Sequence, residues 1–195
     1  MTVHDDPDAL RPPAPVFHPG FPLPVADYRA LRDLLAADAT LPSELVVAHS
    51  RGALTALGGP TSTRERLVLL APSVPRRRPA EPLLRAASRA TARIPVVRGV
   101  VSHALRRAAF RRNGLRAPTG APLDLDAVAD RLRRAPAPAR GPRSIVVVVA
   151  RADRRYDDQL RLARHLGARV VHAPGGHLFP LTHPAATAAL IAAAV

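Results

Sequence analysis

Leu45-Val46-Val47-Ala48-His49-Ser50-Arg51-Gly52-Ala53 is the stretch from which the rest of the chain can be read. Its run of branched apolar residues has the pattern of a buried parallel strand, and the Gly-Ala-Leu-Thr-Ala-Leu that follows reads as the start of a helix. Ser50 therefore stands on a strand-to-helix turn. Such a turn can project the hydroxyl out of the backbone only if the side chains two residues away on either side keep clear, as those of Ala48 and Gly52 do. That is the geometry a serine nucleophile needs. An ordinary strand-to-helix turn is the competing reading, and partners elsewhere in the chain have to decide between the two.

Upstream, Ala14-Pro15-Val16-Phe17-His18-Pro19-Gly20-Phe21-Pro22 gives a very short strand running into a Pro/Gly-rich loop. Leu31, Leu34 and Leu35, separated by charged residues, predict a helix over about 25 to 38 that Leu41-Pro42 ends. Downstream, Gly58-Gly59-Pro60 breaks the short helix at 52 to 58, and Arg66-Leu67-Val68-Leu69-Leu70-Ala71 is the next buried strand. Its Ala71-Pro72-Ser73 ending suits a loop that faces a site. Ser144-Ile145-Val146-Val147-Val148-Val149-Ala150 is the most strand-like run in the chain, and Asp153 lies three residues beyond it. Parallel sheets place their chemistry at the carboxyl ends of strands. Asp157 or Asp158 is expected to cap the next helix, which closes at Gly167. Arg169 to Ala173 is the last strand; His177 follows it in a Pro-Gly-Gly loop, and His183-Pro184 opens a terminal helix.

Ala48-His49-Ser50-Arg51-Gly52 resembles the G-x-S-x-G nucleophile elbow of the α/β-hydrolase family, with alanine for the first glycine. Ala150-Arg151-Ala152-Asp153 is similar to that family's acid loop, and His177 after the final strand resembles its catalytic histidine. The order Ser, Asp, His along the chain is the one this fold uses. The resemblance, which covers residues 14 to 195, implies Ser50 as nucleophile, His177 as general base and Asp153 as the group orienting the imidazole. It also implies an oxyanion hole made of the amides of Phe21 and Arg51, with Gly20 as the fallback because Pro19 has no N–H. The family usually has another strand and helix between the oxyanion loop and the nucleophile, so this chain is a reduced version. An uncovered first strand then leaves an open sheet edge, which invites pairing with a second copy or must be masked by the lead-in.

The expected fold is therefore α/β: a mostly parallel central sheet of about five strands with helical crossovers, built from residues 15–72 and 144–195. Residues 1–14 read as a flexible lead-in, and residues 73–143 as an inserted helical lid, with apolar positions at Leu83, Leu84, Ala87, Val97, Val101, Leu105 and Ala108. A further helix is expected to start at Asp124 or Asp126.

Charge singles out the same insert. The chain carries +14, and all 29 of its basic residues are arginine, so codon bias in a GC-rich genome inflates the figure. That bias acts everywhere, yet residues 73 to 143 hold 17 arginines against 4 acids, a net of +13. The flanking segments come to −2 (6 against 8) and +3 (6 against 3). An anionic substrate or carrier, a membrane surface and a plain solvated face remain open as explanations. Phe110 is the insert's one aromatic, so stacking platforms for bases are missing and nucleic acid is the weakest partner.

A length of 195 residues suits one domain with a sizeable core. The chain has no cysteine, which excludes disulfides and thiol chemistry. No metal-ligand spacing is present and no cofactor is expected. The acidic, Pro-rich start lacks the order of a signal peptide, and no apolar run approaches the ~18 residues of a spanning helix, so a cytoplasmic protein is expected. The resemblance implies a hydrolase of esters or thioesters acting on a small acyl substrate. The alternative is a non-catalytic binding protein of the same fold whose basic lid docks an acidic partner.

Overall fold

The computed structural model describes residues 14–20, 23–58, 66–73, 95–111 and 144–195. Five strands form one all-parallel sheet in the spatial order β1-β2-β3-β4-β5: β1 Val16–His18, β2 Leu45–His49, β3 Arg66–Leu70, β4 Ser144–Ala150 and β5 Arg169–Ala173. The central strands are apolar on both faces, as a sheet covered by helices on both sides requires. Val47, Val68 and Val148 point to one side; Ala48, Leu69, Val147 and Val149 point to the other, and all of them are fully buried.

The helices are α1 Arg29–Ala37, entered through a 3-10 turn at Val25–Tyr28, α2 Gly52–Gly58, α3 Pro95–Arg111, α4 Tyr156–His165, α5 Phe179–Thr182 and α6 Pro184–Ala192. On α1, Leu31 and Leu35 are one turn apart and buried, whereas Leu34 is 41% exposed. On α6, Thr187 and Ile191 fill the same role, and Pro184 occupies the first turn, where its missing N–H costs nothing. α4 ends as its sequence predicts. Gly167 takes a φ of +61°, its N–H reaches the Arg164 carbonyl, and the N–H of Ala168 reaches that of Ala163. The expected aspartate cap is a correction: Arg155 is the residue before the helix, and Asp157 and Asp158 lie inside its first turn. There they favour the positive end of the helix dipole without bonding the orphan amides as a cap.

α1, α5 and α6 cover the face of Val47, Val68 and Val148, while α2 and α4 cover the opposite face. Successive crossovers that step in one direction across a parallel sheet share a face when they share a hand. The β1–α1–β2 connection therefore has the opposite hand to β2–α2–β3 and β4–α4–β5. Its placement closes the half of the core that α6 alone leaves open, and no strand or further helix intervenes between α1 and β2. β1 is a three-residue edge, with Val16 53% exposed.

Of the basic insert at 73–143, only Ser73 and α3 belong to the described residues, so the boundary of a lid and the helix expected from Asp124 or Asp126 lie outside them, as do residues 1–13. α3 does contain Val97, Val101, Leu105 and Ala108. Its last turn buries Phe110 against Leu23, Tyr28 and Leu178, which sets this helix beside the loop that carries His177.

Candidate active site

The parallel register brings the carboxyl ends of β2 to β5 to one edge of the sheet, since His49 pairs with Leu70, Leu70 with Val148, and Ala150 with Ala173. Ser50, Ser73, Asp153 and His177 each lie within four residues of such an end. Ser50 has a φ of +52°, in the left-handed region that a residue with a side chain rarely enters. Its N–H is held by the Leu70 carbonyl (2.9 Å), which extends the strand ladder into the turn. Gly52 has to be glycine. A Cβ there would land on the carbonyl oxygens of His18 and Pro19, the latter at 2.6 Å, because the first turn of α2 rests against the end of β1.

The three candidate catalytic residues, taken from three different loops, form one hydrogen-bonded chain. Asp153 Oδ2 lies 2.7 Å from His177 Nδ1, and His177 Nε2 lies 2.8 Å from Ser50 Oγ. A carboxylate only accepts, so Nδ1 carries the imidazole proton and Nε2 accepts the hydroxyl proton of Ser50. Asp153 also takes the backbone N–H of Arg155 on Oδ1 (3.0 Å) and the side-chain N–H of Gln159 on Oδ2 (2.6 Å). Burial pushes its carboxyl up, but the hydrogen bond and charge of His177, with the donors from Arg155 and Gln159, outweigh that and hold it below the usual carboxylate range. The acid is thereby kept ionised.

A second chain runs beneath the first. The Gly20 N–H donates to the Tyr28 hydroxyl (3.1 Å), that hydroxyl donates to His49 Nδ1 (2.6 Å), and His49 Nε2–H donates to the carbonyl of His177 (2.8 Å). The directions are fixed by the two ends, because the Gly20 amide only donates and the His177 carbonyl only accepts. His49 is 1% exposed, and desolvation, with the nearby His177 imidazole second, pushes its pKa down to about 3. It is a neutral strut between the loop after β1 and the loop that carries His177.

This network corrects one expectation. Gly20 was the fallback oxyanion donor, but its N–H is committed to Tyr28, whose hydroxyl reaches it from the 3-10 turn. A Cβ on Gly20 would come within 2.5 Å of His49 Nδ1, so the glycine serves close packing behind Ser50. Of the other two oxyanion candidates, Arg51 follows Ser50 directly and is half-buried, and Phe21 lies outside the described residues.

A model of the alpha/beta hydrolase family matches residues 6–190. The chain belongs to the alpha/beta hydrolase family. Solved structures of the same fold include a thermophilic esterase from Thermogutta terrifontis, at 16% identity over 90% of this chain and 86% of that one, with a TM-score of 0.59. The RedJ thioesterase from the prodiginine biosynthetic pathway in Streptomyces coelicolor is 18% identical over 96% and 92% of the two chains, with a TM-score of 0.53. A thioesterase domain from the curacin biosynthetic pathway is 18% identical over 92% and 90%, at 0.50. At such identities these likenesses speak for the fold. No curated protein sequence matches the chain.

For an alpha/beta hydrolase, the sequence reading left several residues of this site unassigned. Tyr28, His49 and the side chain of Arg155 carry no spacing signal, since each reaches a partner in a loop distant in the chain, and Gln159, six residues past Asp153, reads only as one more polar position of α4. Ser73 had a signal: the Ala-Pro-Ser ending of β3. Ala71 takes a φ of +42°, and the turn it makes directs the Ser73 N–H to the Ser50 carbonyl (3.0 Å). Among the described residues, no group of three or more His, Asp or Glu side chains could hold a metal ion, and no helix is long and apolar enough to cross a membrane.

Proposed function

We propose that the protein hydrolyses an ester or thioester through an acyl-enzyme on Ser50. The observation that carries this reading is the unbroken chain Asp153–His177–Ser50, at 2.7 and 2.8 Å, with the serine on a strained elbow. Ser50 Oγ attacks the substrate carbonyl carbon, and the carbonyl π pair moves to its oxygen. His177 Nε2 takes the hydroxyl proton and returns it to the departing alcohol or thiol. Water then repeats the sequence on the acyl-enzyme, with the same imidazole as base. Asp153 remains ionised throughout and stabilises the imidazolium. The developing oxyanion falls to backbone amides, that of Arg51 first and that of Phe21 as its partner. The esterase and thioesterases that share the fold favour ester or thioester carbonyls as the substrate class. The +13 charge of residues 73 to 143 (17 arginines against 4 acids) favours an anionic acyl substrate or an acyl group on an acidic carrier.

A fluorophosphonate probe, which reacts only with an activated serine, tests the reading directly. Peptide mapping should place the label on Ser50, and Ser50→Ala should lose both the label and hydrolysis of a short p-nitrophenyl ester. Labelling at Ser43 or Ser73 in its stead would refute the assignment.

A further inference from the structure

Beyond the three residues of the relay, a fourth side chain touches the reacting atom. Ser73 Oγ lies 2.9 Å from Ser50 Oγ, on a side chain only 7% exposed, and it accepts a hydrogen bond of 2.6 Å from a terminal guanidinium nitrogen of Arg155. We infer that Ser73 is a further catalytic residue, donating its hydroxyl proton in a hydrogen bond to Ser50 Oγ, and that Arg155 is the positioning residue that sets its direction.

The directions follow from what each group can do. Arginine only donates, so Ser73 Oγ accepts from Arg155. The Ser50 proton is needed by His177 Nε2, because Nδ1–H is committed to Asp153. The bond between the two serines therefore has Ser73 as donor. Read from Arg155 to Asp153, every hydrogen bond points the same way, and a chain so aligned is polarised along its length.

The consequence falls on the nucleophile. A hydroxyl oxygen has two lone pairs. In Ser50 one accepts from Ser73, which leaves a single pair for attack and fixes where it points. As the Ser50 proton passes to His177, negative charge grows on Oγ, and the Ser73 hydroxyl is already aimed at it; the Ser73 proton stays on Ser73 throughout. When the ester oxygen leaves again in deacylation, the same contact stabilises it. Arg155 has a second tie to the relay, since its backbone N–H holds Asp153 Oδ1 at 3.0 Å. Replacing its side chain leaves that amide in place, so the two roles can be separated.

This inference rests on Ser50 being the nucleophile, and one experiment keeps the two apart. The rate of fluorophosphonate labelling, which reports attack without deacylation, is measured for the wild type, Ser73→Ala, Arg155→Met and the double variant, with peptide mapping and urea unfolding alongside. A hydroxyl hydrogen bond to a charge-bearing oxygen predicts that Ser73→Ala labels Ser50 roughly tenfold more slowly. Arg155→Met should slow labelling about threefold in the wild-type background and not at all in Ser73→Ala, because it acts through that hydroxyl. Should Ser73→Ala fail to fold, the slowing in Arg155→Met is still required. Wild-type labelling at Ser50 with Ser73→Ala equally fast would overturn this inference and leave the nucleophile standing, as would losses that multiply in the double variant. A wild type that does not label at Ser50 would overturn both.

Discussion

Acid should unfold this protein early, and His49 is the reason. Its imidazole is buried and neutral, with its pKa pushed down to about 3, whereas the same side chain in the unfolded chain titrates near ~6.5. Below that pH the unfolded state takes up a proton that the folded state refuses. Stability is thus complete above about pH 6.5 and falls with pH until the folded value near 3 is reached, at roughly 1.4 kcal/mol per pH unit. Between pH 7.5 and pH 5 this one residue removes about 2 kcal/mol, against a total of roughly 5–15 for a domain. With a urea slope of about 2 kcal/mol per molar, the unfolding midpoint should drop by about 1 M from this source. His49→Gln isolates the effect: it keeps an acceptor for the Tyr28 hydroxyl and a donor for the His177 carbonyl, but it cannot titrate. Urea unfolding followed by circular dichroism at pH 7.5, 6 and 5 should show the wild-type midpoint falling about 1 M further than that of the variant. The other histidines are common to both proteins and cancel. Parallel pH curves for the two would refute the reasoning.

The remaining expectations concern the relay, the elbow and the basic insert. Asp153→Asn should lower kcat by roughly three to four orders of magnitude with little change in KM, because the amide cannot fix the imidazole tautomer; steady-state hydrolysis of a p-nitrophenyl ester measures it. Asp153 itself, held below the usual carboxylate range, contributes stability that is present above about pH 4 and lost as pH falls through its lower folded value, so in a His49→Gln background the acid transition should move to more alkaline pH on Asp153→Asn. Gly52→Ala should cost roughly 1–3 kcal/mol in urea unfolding, since the new methyl meets the carbonyls of His18 and Pro19 and backbone has to move. For the insert, kcat/KM on an anionic thioester should fall between low and moderate salt while that on a neutral ester of equal acyl length stays flat, given screening over about 10 Å at 0.1 M; equal salt dependence would leave the arginines without a steering role.

Local pattern carried most of the sheet. The branched runs at 45–49, 66–70 and 144–150 can bury both faces only inside a covered parallel sheet, the run at 169–173 is the half-exposed strand at its edge, and each strand lies within a residue of where its sequence places it. The small residues around Ser50 marked the elbow because a left-handed turn excludes bulk beside it, and chain order after β4 and β5 picked out Asp153 and His177. What the sequence could not determine is which groups meet across loops. Whether Gly20 faces an oxyanion or Tyr28, whether His49 is charged or a neutral strut, and whether Ser73 reaches Ser50 depend on separations of 8 to 128 residues closed by the fold. A hydrogen bond reads only distance and angle, and no periodicity along the chain encodes those. The hand of the β1–α1–β2 connection is likewise a tertiary outcome: α1 has the same amphipathic stripe whichever face it covers, and the bare side of the sheet beside α6 decided it.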